Sequence, residues 1–433
     1  MKSRLQILTS TLLLIAGLAL LGITPTYAQD SDSLRIDELE GRVKKLEVLK
    51  GLKVSGYIQG QYQYGDVDAS LNVGSKNTSK DEGYHRMGIR RGRIKFTYDK
   101  SIASAVFQLD LTEKGVSFKD VYMQIKDPKF SASSIKVGVF DRPFGYEITY
   151  SSSSRETPER SQIFRTLFPN ERDLGVMVTL QPKKGSAWNI LKLDAGLFAG
   201  NGIKKDIKNR KDFITRLSVD KKFKEIIRLG VGVSYYNGGV YQGSPNIYTF
   251  DKEGFVLKSD TAFIGKYAKR EYFGVDAQFR VITPLGVTTI AGEYLMGTQP
   301  GIELESKSPN ADAVTDKDTY IRNFNGGYVV LVQDMGVVPL SAVVKYDWYD
   351  PNTKVAGKQI GDLGKEDDFK KTSIGDIAYN TVGFGLIWNI NSVLRATAYY
   401  EIIANETSEK LSDFKFNKDL RDNVFTFRIQ YKF

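Results

Sequence analysis

The chain has no cysteine and a single histidine, His85, in 433 residues. Without cysteine there is no disulfide framework, no thiolate metal site and no lipid-bearing cysteine at the N-terminus. General-base activation of a serine commonly relies on histidine. His85 stands between Tyr84 and Arg86 in a stretch that reads as a solvated loop, so no enzymatic activity is expected. Asp367, Asp368 and the scattered loop acids lack the ligand spacing of a calcium loop. The segment GGVYQGS, at 238–244, lacks the strand-to-helix context of a phosphate loop. No cofactor or metal ligand set is therefore expected. Beyond the N-terminus there is also no apolar run of the roughly 20 residues that a membrane helix requires.

What is there begins with a short leader. Lys2 and Arg4 precede an apolar run from Leu12 to Ile23 and then Thr26-Tyr27-Ala28, a pattern that predicts a signal peptide over 1–28. Lys2 and Arg4 leave with it and no acid does, which takes the net charge from +10 to +8. The remaining Lys and Arg are spread along the chain and largely alternate with apolar residues, unlike the clustered patch of a nucleic-acid binder. They form either a solvated face or a water-filled lumen that attracts anions. Over 29–50, Ile36, Leu39, Val43 and Leu46 recur at helical spacing. That predicts a short periplasmic helix, either a coiled coil of two or three heptads or a spacer.

From Leu52 onward the period changes to two. Leu52, Val54, Ile58, Tyr62 and Tyr64 alternate with Lys53, Ser55, Gln59, Gln61 and Gln63, and about sixteen such stretches follow one another to the end. In the last, NVFTFRIQYKF, Phe425, Phe427, Ile429, Tyr431 and Phe433 share one face while Thr426, Arg428, Gln430 and Lys432 share the other. The 24 Tyr, 24 Phe and 40 Gly suit aromatic girdles and tightly turning strands. Links between strands alternate in length. Short ones such as 99–101, 182–185 and 336–339 follow even-numbered strands, and long ones such as 65–87, 142–173 and 350–380 follow odd-numbered strands. A soluble sandwich has no reason to sort its loops this way. The expected fold is all-β, a single transmembrane antiparallel β-barrel of about sixteen strands over 51–433, with both ends of the barrel chain on the periplasmic side.

The terminal strand resembles the closing strand of a bacterial outer-membrane barrel. That resemblance implies recognition by the barrel assembly machinery at Phe433 and a place in the outer membrane of a Gram-negative cell. A more specific one lies in VGVFDRPFGYEITYSSSS, ERSQIF and ERDLGVMV, from 137 to 178. Gly138, Phe140, Pro143, Phe144, Gly145, Glu147, the serine run, Glu159, Arg160 and the stretch from Arg172 to Val176 resemble the phosphate-selective porin O and P family. The resemblance implies a homotrimer of sixteen-stranded barrels. It also implies a third loop, near 142–173, that folds inward with Arg155, Arg160, Arg165 and Arg172 at the constriction. Arginine suits that role because it stays charged and grips oxyanions in pairs. Glu156, Glu159 and Glu171 lie among these arginines, so the loop could equally be a salt-bridged plug.

The alternation turns Arg93, Lys95, Lys136, Lys192, Arg216, Arg228, Arg280, Lys345, Arg395 and Arg428 toward the lumen, against Asp110, Asp120, Asp194, Asp220, Asp276, Asp347 and Glu401. Such a balance favours small anions over cations. The reading is a passive porin for small hydrophilic solutes, anion-preferring, with phosphate selectivity as what the family resemblance implies. The alternative is a surface adhesin or ligand-binding barrel, given the length of its outer loops. An energy-coupled transporter, with about 22 strands and a plug, needs far more chain.

Overall fold

The computed structural model describes residues 50–433 apart from 80, 130–131, 208, 253, 309–316, 363–368, 371 and 412. The signal peptide expected over 1–28 and, except for Lys50, the helix expected over 29–50 lie outside the described residues. Residues 1–52 and 53–433 form separate units, and all that follows concerns the second.

Sixteen long strands run in chain order: β1 (Leu52–Gly65), β2 (Tyr84–Lys100), β3 (Ala103–Thr112), β4 (Gly115–Lys126), β5 (Ser134–Asp141), β6 (Arg172–Leu180), β7 (Leu191–Phe198) and β8 (Asp212–Phe223). They continue with β9 (Ile227–Tyr241), β10 (Tyr267–Thr283), β11 (Gly286–Gly301), β12 (Thr319–Met335), β13 (Leu340–Asp350), β14 (Tyr379–Asn389), β15 (Leu394–Asn405) and β16 (Val424–Lys432). Each pairs with the next, and β16 returns to β1 antiparallel, with Tyr57 opposite Lys432 and Gly65 opposite Val424. Closure leaves no edge strand with unpaired backbone groups, which is what a sheet must achieve in a bilayer.

The period-two sequence sorts the faces. Val231 and Val233 on β9, Phe273 and Val275 on β10, Val344 and Tyr346 on β13, and Phe427, Ile429 and Tyr431 on β16 are exposed on the outside. Their neighbours Ser234, Asp276, Lys345 and Arg428 are buried within. A soluble protein does not expose a continuous apolar belt of this kind, whereas lipid covers it without cost. No helix among the described residues is long and apolar enough to cross a membrane, so crossing falls to the strands.

Loop lengths alternate as expected, with one refinement. The second loop, although it follows an odd-numbered strand, is only a two-residue turn, because β3 ends at Thr112 and β4 begins at Gly115, whose φ of +105° only glycine adopts readily. The long loops are ordered. In the fifth, the strands Asn246–Asp251 and Gly254–Ser259 form a hairpin, and the first of them pairs parallel with the start of β12. Its Tyr248 and Phe255 pack on Tyr320. Arg322, buried against these rings, donates to Asp376 of the seventh loop at 2.8 Å. The outer loops therefore brace one another as a cap.

Candidate functional site: the third loop and the lumen

The third loop joins β5 to β6 and enters the barrel. Its regular element among the described residues is a short helix, α1 (Gln162–Leu167), with Ile163, Phe164 and Leu167 buried. Together with Phe144, Ile148 and Phe168 they meet inward-facing Phe198, Ile214, Tyr236, Tyr272, Leu295, Phe324, Tyr328 and Tyr349 from β7 to β13. The Phe144 and Phe168 rings are 5.0 Å apart, and Tyr272 meets Phe324 edge-on at 5.1 Å. This is a packed aromatic core inside a transmembrane barrel. Aromatics expected only at membrane girdles thus divide between the outer surface and this interior. The signal was present, since Ile163, Phe164, Leu167 and Phe168 recur at helical spacing within the loop.

Polar anchors fix the loop at opposite walls. On one side the Gly145 amide donates to Ser234 Oγ of β9 at 2.9 Å, and the Tyr146 and Glu147 amides donate to Glu293 Oε2 of β11, both at 3.1 Å. Lys345 Nζ of β13 donates to Glu147 at 2.8 Å, and the Gln162 amide donates to Asp347 at 3.0 Å. Across the barrel, the Ser152 hydroxyl meets the Tyr57 hydroxyl at 2.6 Å and accepts from Arg93 at 3.1 Å, while its carbonyl accepts from Gln59. β9 and β1 lie half a circumference apart in a ring of sixteen, so the loop bridges the lumen from wall to wall.

The cationic residues divide into spent and unspent. Glu159 is buried and receives Arg90 Nε at 2.8 Å, Arg91 Nη2 at 2.8 Å and Arg428 Nη2 at 3.1 Å. Burial alone would raise its pKa, but the attraction of Arg90, Arg91 and Arg428 outweighs that and holds the carboxyl well below the usual range. Arg160 pairs with Glu171 and donates to the carbonyls of Glu147 and Ile148. Arg172 reaches Asp120 at 2.8 Å, Glu171 at 2.9 Å and Asp141 at 3.2 Å. Arg155 is turned onto the carbonyls of Thr157 and Pro158. Of the four loop arginines expected at the constriction, Arg160 and Arg172 are thus ion-paired within the loop and its wall, and Arg155 is held by loop carbonyls. Arg165 is the fourth and is exposed.

The strand cations behave similarly. Arg93 meets Asp110 at 3.3 Å, Lys192 meets Asp194 at 2.7 Å, Arg216 meets Asp276 at 2.7 Å, and Arg228 pairs with Asp220. Lys345 is taken by Glu147, and Arg395 donates to the Ser154 and Arg155 carbonyls. Lys136 lies over the rings of Tyr122 and Phe140, at 4.6 and 5.1 Å. Lys95 lines a cavity of about 300 Å³ beneath the serine run, with Arg93, Arg160 and Arg172 on its wall. Arg280 is exposed at the short-turn end, opposite Arg228 in the β9–β10 register. No group of histidine, aspartate or glutamate suited to a metal occurs among the described residues.

Arg90 and Arg91 were not anticipated. Strict alternation allows only one of two neighbours to face inward, yet both reach Glu159, while Ile89 is exposed. A local break in the alternation delivers two adjacent guanidiniums to one carboxylate.

No protein-family model and no curated protein matches the chain. Solved structures do. OmpF of Salmonella typhi, in complex with daunomycin, aligns with a TM-score of 0.53 at 14% identity over 88% of this chain and 97% of its own. The outer membrane channel DcaP of Acinetobacter baumannii aligns at 0.50 and 11% identity over 88% and 97%, and OprB of Pseudomonas putida at 0.50 and 11% over 92% and 97%. At such identities the likeness is one of fold, the closed sixteen-stranded barrel.

Proposed function

We propose that the chain is a passive porin of the Gram-negative outer membrane, an anion-preferring channel of the phosphate-selective porin O and P kind. The observation that carries this is a lipid-facing barrel whose lumen is crossed by a firmly anchored, arginine-rich third loop. Solutes would diffuse past the loop without covalent chemistry, drawn by cations that, among the described residues, neither a carboxylate nor a carbonyl engages: Lys95, Lys136, Arg165 and Arg280. The residues engaged by carboxylates, Arg93, Arg160, Arg172, Arg216, Arg228, Lys345 and Arg428, and those held by carbonyls, Arg155 and Arg395, shape the passage and hold its walls. Phosphate preference would then arise from a few unspent cations, a weaker field than a continuous ladder of arginines supplies. A homotrimer in lipid, and assembly through β16 ending at Phe433, belong to the same proposal.

Single-channel recording in a planar bilayer tests it, with reversal potentials under a salt gradient followed by titration with phosphate. Discrete steps, anion preference and block by phosphate are expected. Steps without phosphate block would leave a general porin, and an absence of steps would favour the ligand-binding barrel.

A further inference from the structure

The unspent loop cation, Arg165, borders a chamber that the channel reading does not require. At the long-loop end, above the third loop, lies a cavity of about 400 Å³. Arg165 and Thr166 form part of its floor, Leu304 to Lys307 of the sixth loop one side, and Ile374, Ile377 and Tyr379 another. The nearby hydroxyls are engaged. Thr166 donates to the Gln162 carbonyl at 2.9 Å, and Ser306 meets the Tyr349 hydroxyl at 3.1 Å. Among the described residues, neither Arg165 nor Lys307 is paired with a carboxylate, although Glu305 also lines the cavity. Leu304 is more than half exposed, at 55%. Two cations with no ion pair among the described residues thus share one chamber with an apolar wall.

A hydrated inorganic anion gains from the cations and nothing from the wall. A carboxylate on a flat apolar body gains from both, because a guanidinium fork matches two carboxylate oxygens and the body removes leucine, isoleucine and tyrosine surface from water. We propose that this vestibule is a recognition site for small organic anions with an apolar body, Arg165 holding the carboxylate and Leu304, Ile374 and Tyr379 covering the body. The site would select solutes before they reach the third loop. In that respect it rests on the channel reading, but binding is measurable without conductance.

The test is calorimetric titration of the full chain in detergent with benzoate, acetate and inorganic phosphate, and single-channel recording of the same preparation. Benzoate is expected to bind at least tenfold more tightly than acetate or phosphate. Arg165→Ala should weaken benzoate at least tenfold, Arg165→Lys should restore part of that loss, and Leu304→Asn should weaken benzoate while leaving acetate unchanged. Heat-modifiable migration in gels identifies any variant that has failed to fold. Acetate or phosphate binding as tightly as benzoate would overturn the proposal, and so would an Arg165→Ala protein that binds benzoate normally. Benzoate binding without conductance would sustain the site and remove the channel reading, and conductance without benzoate binding would do the reverse.

Discussion

Glu159 shows how one side chain decides the state of the third loop. Three guanidiniums converge on it, and removing the charge leaves Arg90, Arg91 and Arg428 facing one another inside the barrel. Breaking a buried pair in this way typically costs about 3–5 kcal/mol. Glu159→Gln is therefore expected to lower the urea midpoint of the lipid-reconstituted protein and to make single-channel current noisier. Arg428→Ala should do likewise, because Arg428 donates to the Pro158 carbonyl as well as to Glu159. A purely electrostatic role for Arg428 would change conductance alone, and unaltered current noise in both variants would remove the anchoring role. The pH response follows from the sign of the shift. Because the folded-state pKa of Glu159 is depressed, its contribution is complete above the unfolded value near 4.5 and is lost only as pH falls through the folded value. Loop noise is thus expected to stay constant from pH 8 to pH 5 and to rise only in stronger acid. Gly145 sets a second residue-scale constraint. With φ of +63° and a built Cβ colliding with the Glu293 carboxylate, Gly145→Ala should undock the same loop from the opposite wall.

At the scale of elements, strands and loops obey different rules, and the sequence was legible to different depths in each. Every barrel strand could be read, because lipid on one side and water on the other force a period of two. Ile429→Asp on the outer face of β16 is accordingly expected to impair assembly, since a charge deep in the lipid face costs up to about 2–4 kcal/mol. Folded yield in the outer-membrane fraction measures it, and normal yield would reverse the assignment of faces. Where the interior is filled by protein, period two says only which way a residue points and nothing of what it meets. Lys345, Arg395 and Arg428 were expected to face inward, and their partners Glu147, Ser154 and Pro158 come from a loop whose path no local pattern encodes. Arg90 and Arg91 were illegible for the opposite reason, since the alternation itself breaks there. Loop acids add a pH response of their own. Burial first, then the charges of Asp419, Asp68 and Asp66, push Asp422 in the eighth loop up to about 7. Between its ordinary 3.8 and that value the folded loop holds a proton the unfolded chain has released, so stability falls as pH rises through this window. Amide exchange near 419–423, corrected for its intrinsic pH dependence, should quicken from pH 5 to pH 8, and Asp422→Asn should flatten the change.

For the whole molecule, two structures share one volume: a barrel closed by backbone pairing, and a loop that packs within it as a small soluble core does. The barrel does not need the loop for closure, because β5 and β6 pair along their length with Ser134 opposite Thr179 and Asp141 opposite Arg172. The loop does need the barrel, since its apolar face is covered by wall residues such as Tyr236, Tyr272, Leu295, Phe324 and Tyr328. The dependence is therefore one-way. Replacing 148–160 by a short Gly-Ser linker removes the anchors to β1, β2 and β16 and keeps the aromatic face seated on β7 to β13. The variant is expected to assemble and to retain heat-modifiable migration, while its single-channel conductance rises several-fold and its ion preference weakens. Unchanged conductance would mean that ions pass beside the bridge, along the wall of β3 and β4 where Asp110 and Asp120 meet Arg93 and Arg172, and selectivity would then reside in those pairs.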